Sequence, residues 1–460
     1  MLFSTPFFLF VFLPLFFAFY WFLPARRGIL LAGSIVFYGW GEPLFLLVVI
    51  LSALFDWCLG WQIAQRGPRA KTWVALGVAS NVALLVYAKY TVFAVENLNA
   101  LLTARGWAAW PLPQIALPLG VSFIVFEKIT YVVDLYRKVA PPAKSLLDYL
   151  NYVFLFPKLL AGPIVKYHDI ADQLAAPTHR YEDVREGLIR FIRGLGKKVI
   201  IADSLAPIAD HVFALPLTAL SPSAAWLGLA CFTLQIFFDF SGYSDMAIGM
   251  ARILGFRLLE NFRDPYLATS FTDFWRRWHI SLSSWIKEYL YIPLGGNRVS
   301  TARTYLNLCL CFLLCGLWHG ASWNFVIWGG VHGIALVLDR AFWLRIAERL
   351  PRAVNIAWTF FAVSLTWVFF RCETLEKAVR FFEALAGTAA AEANDVFLRT
   401  DTVAVLCLGA FLILLPLARR PRAIADGWRA PALVWSLALL LMCIGRMTVS
   451  SFAPFLYFRF

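Results

Sequence analysis

The sequence predicts an all-α, polytopic membrane protein, and three observations predict it. Apolar residues make up 61% of the 460 positions and charged residues only 15%, where a soluble domain carries roughly 25% charged. Apolar runs approaching the length that crosses a bilayer, about 20 residues, recur along the whole chain. Short arginine and lysine clusters fall after every second early run, as the positive-inside rule requires.

The first five candidate crossings lie near 6–23, 28–40, 43–63, 72–91 and 115–135, the second being short. Leu2–Leu23 has neither a basic leader nor a small-residue cleavage site, so it reads as a retained helix and not a signal peptide. Arg26 and Arg27, then Arg66, Arg69 and Lys71, then Arg137 and Lys138 punctuate these runs. The alternation predicts an extracytoplasmic N-terminus with those loops in the cytoplasm.

Between about 140 and 220 the apolar pieces shorten and are broken by Pro157, Gly162 and Pro163. Cytoplasmic-side, partly re-entrant structure is expected there. From 183 to 198 apolar residues fall near helical spacing, with Arg190 and Arg193 between them, which predicts an interfacial amphipathic helix. Further crossings are expected near 224–250, 304–318, 322–342, 354–371, 402–418 and 431–450, giving ~11 in all plus the re-entrant and interfacial pieces. The loop 419–429 carries four arginines against Asp426, so it reads as cytoplasmic and the tail 451–460 as extracytoplasmic. No internal repeat divides the chain, and a single membrane domain over 1–460 is expected.

The net charge of +13 does not point to nucleic acid, because the basic residues sit in loop clusters and form no continuous stripe. The partners it implies are membrane lipids. Eight cysteines, such as Cys309, Cys311 and Cys315, fall mostly inside apolar runs and read as free thiols. Cys311, Cys315 and His319 fall four residues apart, but no fourth ligand accompanies them, so no metal site is expected. A Gly-x-Ser-x-Gly elbow, a Walker loop and a dinucleotide fingerprint are all missing, which removes the common soluble hydrolase, NTPase and dehydrogenase readings.

Ionisable groups inside apolar segments are costly and tend to mark function. Of six histidines, His279 lies in Phe-Trp-Arg-Arg-Trp-His, His319 in Gly-Leu-Trp-His-Gly, and His332 inside the following run. His319 ends an apolar helix before Gly320, where a neutral imidazole can serve as a general base, or can simply be bonded to a carbonyl in the core. His332 fits the second description better. A helix over 273–290 would carry Trp275, Trp278, Leu282, Trp285 and Tyr289 on one face and Arg276, His279, Ser283 and Lys287 on another. That polar face could bind a phosphate-bearing donor or form a snorkelling rim. Asp239 and Asp245, in Phe-Asp-Phe-Ser-Gly-Tyr-Ser-Asp, are expected to line a cavity or pair with arginines.

Five segments together resemble the membrane-bound O-acyltransferases, in particular the branch that acetylates bacterial polysaccharides such as alginate. They are Phe-Pro-Lys-Leu-Leu-Ala-Gly-Pro-Ile at 156–164, the segment 238–249, Phe-Trp-Arg-Arg-Trp-His-Ile-Ser-Leu-Ser at 274–283, Leu-Gly-Gly-Asn-Arg at 294–298 and Gly-Leu-Trp-His-Gly at 316–320. The resemblance implies a ring of helices around a central funnel, with His319 catalytic and His279 near the same tunnel. Arg276, Arg277, Trp318, Asn324 and Asp245 are the expected donor-binding and tunnel residues. The resemblance also implies no bound cofactor, acetyl-CoA as donor substrate, an SGNH-type periplasmic acetyltransferase as partner, a polysaccharide acceptor and an inner-membrane location. The ending Phe-Leu-Tyr-Phe-Arg-Phe at 455–460 resembles a tail motif of envelope acylation systems, which makes Tyr457 an acyl carrier, against an aromatic interfacial anchor as the plainer reading. D-alanyl transfer to teichoic acid, an acyl-conducting channel and a noncatalytic scaffold are the competing readings, and the residues do not select the glycan.

Overall fold

The computed structural model describes residues 1–65, 67–388, 400–418, 429–449 and 455–456. Every regular element among them is helical. Eight helices are long and apolar enough to cross a membrane: Pro43–Ala64, Ala70–Ala104, Pro222–Ile253, Thr301–His319, Trp323–Ala347, Arg352–Arg371, Thr400–Leu417 and Pro431–Val449. They coincide with expected crossings to within a few residues, apart from Ala70–Ala104, which runs well past the expected end at 91. The remaining expected crossings correspond to the shorter helices Phe8–Phe22, Arg26–Gly39 and Val121–Arg137. Most of the expected cytoplasmic loop 419–429 lies outside the described residues.

The chain forms two compact units, Met1–Phe191 with Met246–Leu259, and Ile192–Asp245 with Glu260–Phe460. In the first, the buried charges of the Val121–Arg137 helix are each answered within the protein. Lys128 lies 3.1 Å from Asp56, both essentially inaccessible, and Asn81 donates to the same carboxylate at 2.8 Å. Glu127 pairs with Lys158, and Asp134 binds the His168 ring at 2.9 Å. Lys158 belongs to the Phe-Pro-Lys segment at 156–164, so the conspicuous lysine of that motif supports the helix packing of this unit. Four tyrosines, Tyr131, Tyr149, Tyr152 and Tyr167, pack edge to face or tilted in the same unit, with centroids 4.3–5.2 Å apart for the closest three contacts.

In the second unit, Thr301–His319 and Trp323–Leu338 form an antiparallel hairpin whose turn is Gly320–Ser322. Gly316 and Gly329 set its spacing. A Cβ on Gly316 would stand 2.1 Å from the Phe325 carbonyl oxygen, and one on Gly329 would stand 2.2 Å from that of Phe312. Backbones that approach so closely admit no side chain at the crossing, the small-residue mode of helix packing in membranes.

The continuous helix expected over 273–290 is not formed. Two short helices, Phe271–Trp275 and Ile280–Ile286, are separated by His279 in the left-handed conformation (φ 44°, ψ 53°), and a π-helical turn Lys287–Tyr291 follows. The expected polar face is therefore divided. Arg276 is exposed, whereas His279 is wholly buried. Periodicity missed this break because histidine carries no turn signature, while the loop before it holds the segment by tertiary hydrogen bonds: Ile280 N–H donates to the Asn261 carbonyl at 3.0 Å and Arg263 N–H to that of Arg277 at 2.9 Å.

The Asp56–Lys128 pair yields a stability prediction. Asp56→Ala strands a buried ammonium and is expected to cost about 3–5 kcal/mol, whereas the double change Asp56→Leu/Lys128→Met costs much less or nothing. Thermal unfolding of the detergent-solubilised variants checks the order. A double variant weaker than the single one would contradict it.

Candidate active site

Two of the histidines meet in the second unit. His319, 4% exposed, ends its helix where Gly320 turns extended (φ −161°). Its ring is held edge-on by Trp318, Trp328 and Phe370, with centroids 5.0, 5.1 and 5.3 Å away. The His279 ring lies 6.4 Å from it, centroid to centroid, and packs against Phe240 at 4.7 Å. An αL histidine stores strain of order 1–3 kcal/mol, which persists only where the surroundings over-determine it, and such residues cluster at functional sites.

The tautomer of His279 follows from its neighbour Asn261. The Ser281 backbone N–H, which can only donate, points at Asn261 Oδ1 at 3.2 Å, so that atom is the amide oxygen. His279 Nδ1 faces the same oxygen at 3.1 Å and must carry the proton it donates. The Ser281 hydroxyl donates there too at 2.9 Å, and Asn261 Nδ2 donates to Ser244 Oγ at 3.1 Å. His279 Nε2 is then a bare lone pair, and among the described residues nothing hydrogen-bonds to it. Burial pushes this imidazole down to about 3, so it is neutral at physiological pH.

His332 is the counterexample. Trp275 Nε1–H donates to its Nδ1 at 3.1 Å, and its Nε2 bonds Thr366 Oγ1 at 3.1 Å, whose own proton goes to the Val363 carbonyl at 2.7 Å. Both ring nitrogens are occupied, as a structural histidine requires.

A narrow cavity lies beside His319, lined by it and by Trp328, Trp367, Phe370, Asp239, Phe240, Phe455 and Leu456 among others. The space left, about 10 Å³, is close to what one water needs. Asp239 reaches this cavity and pairs with Lys198 at 2.7 Å, so its partner is a lysine and not an arginine. Asp245 likewise pairs with a lysine, Lys197, at 2.6 Å.

The other expected tunnel residues are placed as follows. Trp318 packs beside both histidines, 6.0 Å from His279 and 5.0 Å from His319. Asn324 donates to the Cys372 carbonyl at 2.6 Å and so ties the hairpin to the end of Arg352–Arg371. Arg277 pairs with Asp273 at 2.8 Å, and Tyr457 lies outside the described residues. Asn261 and Lys198 were not singled out by the sequence. Asn261 sits in a loop without periodicity, and Lys198 reads as one more basic residue of an amphipathic segment.

A neutral imidazole beside a water-poor aromatic wall suits removal of a hydroxyl proton while that oxygen attacks a carbonyl. The Asn261 contact makes this testable. Asn261→Asp puts a carboxylate on Nδ1–H and raises the His279 pKa, so the acid limb of kcat/KM for acyl transfer is expected to move up by about 1–3 pH units. Asn261→Leu leaves Nδ1–H unsatisfied at a cost of about 1–3 kcal/mol, so a roughly ten- to hundredfold fall in kcat is expected. His332→Gln should lower the melting temperature and leave that acid limb where it is. If Asn261→Asp has no effect on the limb, His279 does not titrate in the rate.

The profile of the membrane-bound O-acyltransferase family matches residues 137–374. A probable alginate O-acetylase of Azotobacter vinelandii is 42% identical over the full length of both chains. The peptidoglycan O-acetyltransferase of Helicobacter pylori is 38% identical over 84% of this chain and 80% of its own length. The teichoic acid D-alanyltransferase of Bacillus subtilis is 26% identical over 55% of this chain and 66% of its own. On the profile match and the end-to-end identity, this chain belongs to the membrane-bound O-acyltransferase family and is a multi-pass membrane acyltransferase.

Proposed function

We propose that the chain is an O-acetyltransferase of the bacterial inner membrane, serving a cell-envelope polysaccharide. It takes acetyl from cytoplasmic acetyl-CoA and passes it outward through Tyr457 to an SGNH-type extracytoplasmic partner. The acetylating names of the full-length relatives favour acetyl over D-alanyl transfer. One observation carries the relay: Phe455 and Leu456 line the same cavity as His319, and the next residue in the sequence is Tyr457.

In the proposed step His319 accepts the phenolic proton of Tyr457 as the oxygen attacks the thioester carbonyl. The carbon–sulfur bond breaks and the thiolate leaves as the thiol, taking the proton back from the imidazolium. The neutral His279 Nε2, to which nothing among the described residues hydrogen-bonds, is offered as a second proton acceptor near His319. The product is an aryl ester. Because a phenol has a pKa of about 10, it is a better leaving group than a sugar hydroxyl, so the acetyl group stays activated for transfer to the partner and on to the glycan.

Purified protein is incubated with isotopically labelled acetyl-CoA and the peptide carrying Tyr457 is weighed by mass spectrometry. Label on Tyr457 is expected in the wild type, none in Tyr457→Phe, and a rate lower by about 10²–10⁴ in His319→Ala. If acetyl-CoA is consumed through His319 while Tyr457 stays unlabelled, transfer goes directly to the partner. If the thioester is never consumed, acetyl-CoA is not the donor of this acyltransferase.

A further inference from the structure

The acyl-transfer chemistry leaves one buried charge cluster unused. Lys198 lies in the π-helical turn Lys197–Ala202, an irregularity frequent at functional sites. Its ammonium is buried and contacts Asp239 Oδ1 and Asp203 Oδ1, each at 2.7 Å. Burial opposes that charge, but Asp239 and Asp203 together hold its pKa above the ordinary lysine value. The carboxylate of Asp239, 1% exposed, sits on the Pro222–Ile253 helix. Gly242, one turn further on, lets that helix approach the lysine turn: a Cβ there would stand 2.7 Å from the Gly194 carbonyl oxygen and 3.2 Å from Lys198 N.

The second oxygen of Asp239 does not serve the lysine. Oδ2 accepts the backbone N–H of Leu456 at 2.7 Å. A hydrogen bond to an ionised acceptor is roughly twice as strong as a neutral one, and this one reads the backbone, whatever side chain position 456 carries. The preceding residue is an aromatic anchor. Phe455, 3% exposed, packs on Tyr243 at 4.8 Å and on Phe240 at 5.9 Å, and Phe240 in turn packs on His279. Two lysine-bound carboxylates stand against one ammonium here, so Asp239 retains hydrogen-bonding capacity that a bare counter-ion would not use.

We propose that the Lys198–Asp239 ion pair is a docking clamp for the chain's own 455–456 segment, holding it in the His319 cavity by its backbone, which makes Asp239 a positioning residue for the acyl transfer. The clamp stands on the contacts of Phe455 and Leu456; its consequence for transfer rests on the carrier role proposed for Tyr457. A purely structural Asp239 would serve only to neutralise Lys198, and breaking the bond from the segment's side would then change nothing.

Hydrogen exchange of the peptide covering 450–460 in the detergent-solubilised full chain tests this, alongside labelled-acetyl transfer to Tyr457. Leu456→Pro deletes the N–H while leaving the buried ion pair intact, so it keeps the test valid even if Asp239→Asn fails to fold. Both variants are expected to speed exchange in that peptide about tenfold and to slow Tyr457 labelling by a similar factor, with Asp245→Asn leaving exchange unchanged. Unaltered exchange in Leu456→Pro overturns the clamp. Faster exchange with labelling at the wild-type rate overturns the positioning role. An unlabelled wild type counts against the carrier reading alone, because exchange still decides the clamp.

Discussion

Polar groups withdrawn from water must find partners inside the protein, and this constraint organises the chain. An unpaired buried charge or hydrogen-bonding group costs several kcal/mol where no water can reach it. The Val121–Arg137 helix answers its buried charges with Asp56, Lys158 and His168, and His332 occupies both its nitrogens with Trp275 and Thr366. The Nε2 of His279 is one of the buried side-chain polar atoms to which nothing among the described residues hydrogen-bonds. Three donor groups, His279 Nδ1–H among them, converge on Asn261 Oδ1, so the buried Nε2 lone pair is held in place by its surroundings.

The apolar runs made most of the fold legible. Helices such as Pro222–Ile253 and Arg352–Arg371 begin and end within two or three residues of the runs that announce them, because length and hydropathy decide whether a segment can cross a bilayer. His319 drew attention for a related reason, since a histidine at the end of an apolar helix, followed by glycine, is an expensive placement; that placement alone also fitted a core histidine, and the family resemblance is what pointed to catalysis. What stayed hidden depends on contacts between distant parts of the chain. The left-handed backbone at His279 is imposed by the loop around Asn261 and Arg263, and no local pattern of residues encodes it.

Lys198 and Asp239 illustrate the same limit from the charge side. The sequence flagged Asp239 as anomalous in an apolar run but could not name its partner, since adjacent lysines at 197 and 198 reach two different aspartates, Asp245 and Asp239, on one helix. The hydrogen bond from Leu456 spans 217 positions and involves a backbone amide, which carries no sequence signature at all. The ending Phe-Leu-Tyr-Phe-Arg-Phe read more plainly as an interfacial anchor, and it is the burial of Phe455 beside Phe240 and Tyr243 that favours a role at the site.

The central claim is that His319, at the cavity, and His279, its ring 6.4 Å away, work as one unit, and a double-mutant cycle addresses it most directly. The rate of acetyl-CoA consumption would be compared among wild type, His319→Ala, His279→Gly and the double variant, glycine being chosen because it accepts the left-handed backbone without strain. Residues that act together are non-additive, so the double variant is expected to fall within about threefold of the worse single variant. Losses that multiply, or a His319→Ala enzyme that keeps the wild-type rate, would contradict the account.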